Sequence, residues 1–266
     1  MTTPQPALRD ATLAVADRIA TLTLNRPDVL NALTGTALAD DIVAVAEWVN
    51  RADEVSVLIL TGAGKAFSAG GNVKDMATRS NDFAGSVAEV AERYRRGIQR
   101  IPLAMQGIEV PVIAAVNGAA IGAGCDLACF ADLRLAADNA RFGETFVNLG
   151  IVPGDGGAWF LQRLVGYQRA FELTLGGRLI DAAEAKSIGL VLDVVPAAEL
   201  LPRARELAAT FAAKPAHAVR LTKRLMKMAQ RLELPDFLAL TATFQGICHN
   251  EPAHLEAVEA LLAKMR

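Results

Sequence analysis

Cysteine is scarce in this chain: its 266 residues hold three, Cys125, Cys129 and Cys248. So small and odd a number excludes a disulfide framework and points to reduced, intracellular thiols. Histidine is equally sparse, with His217, His249 and His254 all in the last part of the chain, and no Cys/His spacing fits a metal site. Cys125 and Cys129, four residues apart, read as small buried hydrophobes. No metal is expected. No apolar run approaches the roughly 18 residues of a membrane span, and Met1 to Arg9 lacks a signal-peptide core. A cytoplasmic protein without a membrane partner is therefore expected. No basic block stands out against a net charge of −2, which argues against nucleic acid as a partner. There is no Gly-x-Ser-x-Gly, and no histidine follows a nucleophile in triad order. Gly64-Lys65 looks like the end of a phosphate-binding loop, but Ala66 stands where Ser or Thr would ligate magnesium and the preceding spacing is wrong. Small-molecule chemistry without metal, triad or P-loop is what these absences leave.

What is present is apolar bulk. With 52% hydrophobic and 21% charged residues, the chain is long enough for one large domain and an appended helical piece. Leu13 to Val15 and Ile19 to Leu24, around Ala16-Asp17-Arg18, predict a hairpin. Helical spacing runs from Thr36 to Asn50, and Val57 to Leu60 reads as a buried strand, so strands alternate with helices in an α/β arrangement. Helices are expected over Val73 to Arg79 and Val87 to Gln106, with Pro102 kinking or breaking the second; this polar region is a lid over a site or a pair of solvated linking helices. After Val191 to Val195 the pattern is wholly helical: Ala197 to Ala213, Ala216 to Arg231, Pro235 to Ile247 and Pro252 to Lys264. Such a unit buries its apolar faces on another subunit, which predicts a homo-oligomer.

The chemistry concentrates at Asn117-Gly-Ala-Ala-Ile-Gly-Ala-Gly-Cys-Asp-Leu127, between apolar runs at Pro111 to Val116 and Leu133 to Ala137. Read as strand, glycine turn, short helix and strand, it aims free N–H groups of a helix start out of a buried scaffold, a place for an anion. A helix beginning near Ala123 puts Asp126 on the same face. A close-packed corner with Asp126 offsetting the helix dipole fits the same residues. Gly70-Gly71 makes a second glycine turn after a buried strand, where backbone approaches a ligand closely or simply connects strand to helix. Glu144 and Asp155 are carboxylates among apolar neighbours, with raised pKa values if buried; either also fits a solvated turn, and for Asp155, in Gly-Asp-Gly, that turn is the favoured reading.

Taken together, Asn25-Arg-Pro-Asp-Val-Leu-Asn-Ala-Leu33, Ile59-Leu-Thr-Gly-Ala-Gly-Lys-Ala-Phe-Ser-Ala-Gly-Gly-Asn-Val-Lys74, Val116 to Ala128, Gly150-Ile-Val-Pro-Gly-Asp-Gly-Gly157 and Gly177 to Val191 resemble the crotonase (enoyl-CoA hydratase/isomerase) superfamily. The resemblance implies a spiral core of repeated β-β-α units over residues 1–195, carrying the acyl-CoA site, and a helical region over 196–266 used in trimerisation, often in a dimer of trimers. It implies an acyl-CoA thioester substrate of the kind met in fatty acid metabolism, with no cofactor beyond the coenzyme A of the substrate. The enolate oxygen would sit between the N–H groups of Gly71 and Ala123, the latter at a position usually held by glycine. Val29, Leu30 and Ala32 would lie along the CoA, Ala69 and Asn72 at its adenine end, and Lys74 near its phosphates or merely in solvent. Val73, Gly122, Phe146, Pro153 and Asp155 complete the expected surroundings of the substrate.

Two departures limit what the resemblance implies about the reaction. Hydratases of this superfamily carry glutamates at the positions of Asp126 and Phe146; the first is here one methylene shorter and the second cannot transfer a proton. Adding water across a double bond needs both activation of water and protonation of carbon. Glu144 is the obvious substitute, since residues two apart in an extended segment share a face, although about 6 to 7 Å further along. Asp155 is the other reserve carboxylate. Lyase or isomerase chemistry, with Asp126 as the main acid/base and Glu144 assisting, is the leading expectation; a CoA-thioester binding protein that has lost catalysis is the alternative.

Overall fold

The computed structural model describes residues 3–265; Met1 and Thr2, part of the segment read for a signal peptide, lie outside it, as does Arg266. Strands β1 (Ala11–Ala16) and β2 (Ile19–Leu24) form the predicted antiparallel hairpin. Asp17 and Arg18 join them at φ 52° and 64°, the left-handed pair of a turn that matches strand twist. Helix α1 (Leu38–Arg51) buries Leu38, Ile42, Val45, Ala46 and Val49. Its buried Asp41 accepts hydrogen bonds from the N–H groups of Arg9, Asp10 and Ala11 at 2.7–3.2 Å, which pins the entry to β1.

A repeated unit follows, in which one strand joins a first sheet, the next joins a second sheet, and a helix leads on. The units are β3 (Val57–Gly62) and β4 (Ala66–Ser68) with α2 (Val73–Thr78), α3 (Val87–Arg96) and α4 (Arg100–Gly107); β5 (Val112–Val116) and β6 (Ala119–Ile121) with α5 (Ala123–Cys129); and β7 (Leu133–Ala137) and β8 (Arg141–Gly143) with α6 (Gly157–Val165). They are followed by α7 (Tyr167–Gly176), β9 (Ile180–Asp181), α8 (Ala182–Ser187) and β10 (Asp193–Val195). The six-stranded sheet runs β1-β2-β3-β5-β7-β10, parallel from β2 onward, and the four-stranded sheet runs β4-β6-β8-β9. Strands buried on both faces explain the unbroken apolar runs at Val57 to Leu60 and Val112 to Val116.

Four expectations need adjustment. The glycine turn before α5 contains a short strand, β6, that the alternation-free Ala119-Ala120-Ile121 does not announce. The helix expected over Val87 to Gln106 breaks at Gly97, with φ −106° and ψ −111°, and not at Pro102. Pro102 sits in the first turn of α4, where N–H groups have no helical acceptor and proline costs nothing. The extended backbone of β8 ends at Gly143, and Phe146–Leu149 form a 3-10 turn; Glu144 and Phe146 therefore do not share a strand face. The boundary expected at 195/196 falls ahead of α9 (Leu200–Ala212), whose Leu200, Ala204 and Ala208 pack on Ile19, Val57, Ile59, Ile113 and Leu135 of the large sheet. Only beyond it do α10 (Ala216–Met228), α11 (Leu234–His249) and α12 (Pro252–Lys264) leave the body, burying little but Lys223 and Phe244 among the described residues. No described helix is long and apolar enough to cross a membrane.

Candidate active site

The site forms where two glycine turns from neighbouring units press together. Asn31, fully buried, donates from its amide to the carbonyls of Ala63, Ala66 and Phe67 and accepts from the N–H of Arg26 at 2.8 Å. Ser68 Oγ donates to the Asn31 carbonyl and accepts from the Gly70 N–H. Main-chain bonds Ala69 N–H to Leu30 O and Leu33 N–H to Gly70 O close the seam. Gly70, at φ 76°, lies so near Ile121 O and Ala123 N that a Cβ would collide with both, and a Cβ on Gly124 would enter the Ser68 carbonyl. Only bare backbone lets these turns meet. Across the seam, the N–H groups of Gly71 and Ala123 have no protein acceptor among the described residues, and both residues line one cavity of about 40 Å³.

Phe146 and Asp155 complete the floor of this cavity; Met76, Phe83, Tyr94 and Ile98, from α2 to just past α3, form its opposite wall. The polar stretch expected to be either lid or solvated linker is thus a wall of the site. Phe146 lies against Gly122, the residue before Ala123. At and behind the floor, three carboxyl groups share a dry volume: Asp155 is 3% exposed, and behind it Asp126 is 0% and Glu144 2% exposed. None of their six oxygens has a protein donor among the described residues. Gly157 of α6 is packed so closely on Asp126 that no side chain fits there. Glu144 does not face the cavity; it borders a void of about 10 Å³ behind α5 with Cys125, Leu161 and Leu190.

Burial raises all three carboxyl pKa values. Asp126 is pushed well above the usual carboxylate range, by burial first and then by the charges of Asp155 and Glu144. Burial lifts Glu144 and Asp155 too, but each is drawn back by a hydrogen bond with Asp126. Fully ionised, the three groups have only repulsion for one another. A proton on Asp126 turns the contact with one neighbour into an O–H···O bond and relieves the repulsion with both. Tyr94 also rises, through burial and the charges of Asp155 and Asp82.

The expected residues divide into two groups. Gly71, Ala123, Phe146 and Asp155 line the cavity, Gly122 underlies Phe146, and Asp126 and Glu144 lie behind. Val29 and Leu30 are exposed on the loop joined to Ala69, beside buried Ala32. Asn72 caps α2 by accepting from the Lys74 N–H, leaving Val73 and Lys74 exposed in its first turn. Pro153 is half-buried two residues before Asp155. Sequence reasoning assigned no role to Asn31 or Ser68. It also missed Tyr94, although Val90, Tyr94 and Ile98 recur at helical spacing. No group of three or more metal-ligating side chains occurs among the described residues.

A family model described as enoyl-CoA hydratase/isomerase matches residues 15–264. The chain is 35% identical to the short-chain-enoyl-CoA hydratase of Clostridium acetobutylicum, over 97% of each chain. It is 34% identical to the 1,2-epoxyphenylacetyl-CoA isomerase of Escherichia coli, over 92% of each. Among solved structures, the enoyl-CoA hydratase of Bacillus anthracis superposes with a TM-score of 0.89 at 33% identity, covering 96% of this chain and 97% of that one. With its two-sheet spiral and a match running almost end to end, the chain belongs to the enoyl-CoA hydratase/isomerase family, the crotonase superfamily.

Proposed function

We propose that the protein forms a thioester enolate from an acyl-CoA in this cavity, and that its reaction is isomerase-type proton transfer or hydration of an unusual enoyl-CoA. One observation carries this reading: two unpartnered N–H groups and the buried carboxyl of Asp155 line the same small cavity, with Asp126 and Glu144 behind it and Phe146 where a second glutamate would stand. A carboxylate takes a proton from carbon; the C–H electron pair moves into a new C=C bond as the thioester oxygen gains charge between Gly71 and Ala123. Returning the proton to the carbon at the other end of the delocalised system restores the carbonyl and moves the double bond. One donor of this kind contributes about 2.7–4 kcal/mol to the transition state, and one carboxyl serves both transfers. Ordinary hydration also needs an activated water, and Phe146 cannot supply that.

Named activities among the relatives support thioester chemistry of either kind, a hydratase in one case and an isomerase in another. The CoA moiety would run over Val29, Leu30 and Ala32, with Ala69 and Asn72 at the adenine, Val73 beside them, Lys74 near the phosphates and Pro153 on the acyl side. Three uncompensated carboxyls cost stability, which a catalytically silent thioester binder has no reason to carry. The test is a panel of 2-enoyl and 3-enoyl thioesters. Double-bond migration with poor crotonyl-CoA hydration is expected; efficient crotonyl-CoA hydration would sink the assignment. A folded Ala123→Pro variant, which lacks one donor, should lose about 10²–10³ in kcat.

A further inference from the structure

The three carboxyls differ in what they reach. Asp155 is a wall of the cavity, beside the Gly71 and Ala123 backbone, and is nine-tenths buried with both oxygens free of protein donors. Asp126 is wholly enclosed, covered by Gly157 at the start of α6, and does not reach the cavity. Glu144 opens only onto the void behind α5. The order from substrate inward is Asp155, Asp126, Glu144. Resting on the enolate reading above, we infer that Asp155 is the catalytic carboxyl that exchanges a proton with the acyl group, and that Asp126 is a positioning residue held neutral behind it.

Electrostatics favours this division. Three negative charges cannot share one dry volume, so protons collect on the innermost groups and charge remains on the group at the cavity wall. A neutral Asp126 donates its O–H to Asp155 and so keeps that carboxylate available as a base. This agrees with the burial that pushes Asp126 well above the usual carboxylate range and with its lowering effect on Asp155. The other titratable and charged groups around Asp155 are Glu144 after β8, Tyr94 and Arg93 on α3, and Asp82 in the turn Asn81–Phe83. Arg93 donates to the Ala84 carbonyl, and Tyr94 stays a neutral phenol because its pKa is raised. In the forward step the substrate C–H bond breaks, an O–H bond forms on Asp155, and the electron pair passes into the enolate. In the return step Asp155 gives the same proton to the other carbon. Asp126 stays neutral throughout.

The test compares Asp155→Asn, Asp126→Asn and Asp126→Ala by turnover on the thioester panel and by deuterium exchange at the α-carbon of butyryl-CoA in D₂O. Asp155→Asn should lose about 10²–10⁴ in rate, at least tenfold more than Asp126→Asn, whose amide still donates to Asp155. Asp126→Ala removes that donor, so the acid limb of the kcat/KM profile should move to higher pH; Asp126→Asn should return it. A purely structural Asp126 would not produce that shift and its rescue. Losses in Asp126→Asn equal to or greater than those in Asp155→Asn overturn the inference. Absence of both turnover and exchange in the wild type defeats the enolate reading, and the protonated-carboxyl infrared band then decides. A drop in its intensity in Asp126→Asn at neutral pH supports a neutral Asp126, whereas an unchanged band refutes it.

Discussion

At the scale of single residues, the buried carboxyls make stability depend on pH. A carboxyl whose folded pKa is raised contributes its full stability below the unfolded value near 4 and loses it as pH climbs through the folded value, because the unfolded chain releases its proton first. Asp126, raised well above the usual carboxylate range by burial, should therefore weaken the fold progressively above about pH 4. Asp126→Asn should match the wild type in thermal stability near pH 4 and exceed it at pH 8, with each kcal/mol regained appearing as about 2–4 °C in Tm. A Tm difference that does not grow with pH would refute this. Asn31 acts in the opposite sense: Asn31→Ala strands three carbonyls and should cost about 1–3 kcal/mol in urea unfolding, with turnover falling as Gly71 loses its register. Asp126, Glu144 and Asp155 were legible as carboxylates in apolar sequence. Their order inward from the cavity was not, because it depends on α6 packing over α5, a contact between units. Asn31 was illegible for the same reason: its three acceptors lie more than thirty residues away.

Elements were legible wherever local chemistry decides them. The hairpin, the start of α5 at Ala123 and the C-terminal helices follow from turn residues and periodicity. The misplaced break in α3 and α4 and the unforeseen β6 mark where tertiary pairing overrides local pattern: β6 exists because β4 and β8 flank it. The junction between units is also the most fragile part of the site. Gly124→Ala would drive a methyl group into the Ser68 carbonyl, and overpacking of this kind costs about 1–3 kcal/mol. Because the displaced strand is β4, which leads into Gly71, the variant should lose kcat more than its drop in Tm explains. Equal losses of active-site occupancy and Tm would show that the contact matters to folding alone.

For the whole molecule, α10 to α12 matter most. Met226, Leu234, Leu238, Leu255, Leu261 and Leu262 are each more than half exposed, an amount of apolar surface that isolated chains rarely leave in water. Light scattering should find at least three chains per particle, and Leu255→Glu with Leu262→Glu should shrink it; a wild-type monomer at micromolar concentration would refute the assembly proposal. Helix α9 carries a different consequence, one of timing. Its cover reaches back to Ile19 and Val57, on strands made near the beginning of synthesis. At about 5–20 residues per second, the roughly 190 residues from Ile19 to Ala208 take on the order of 10–40 s to emerge. Throughout that interval one apolar face of the growing sheet has no helix to cover it, so the nascent chain is a natural client for ribosome-associated chaperones until its last quarter arrives.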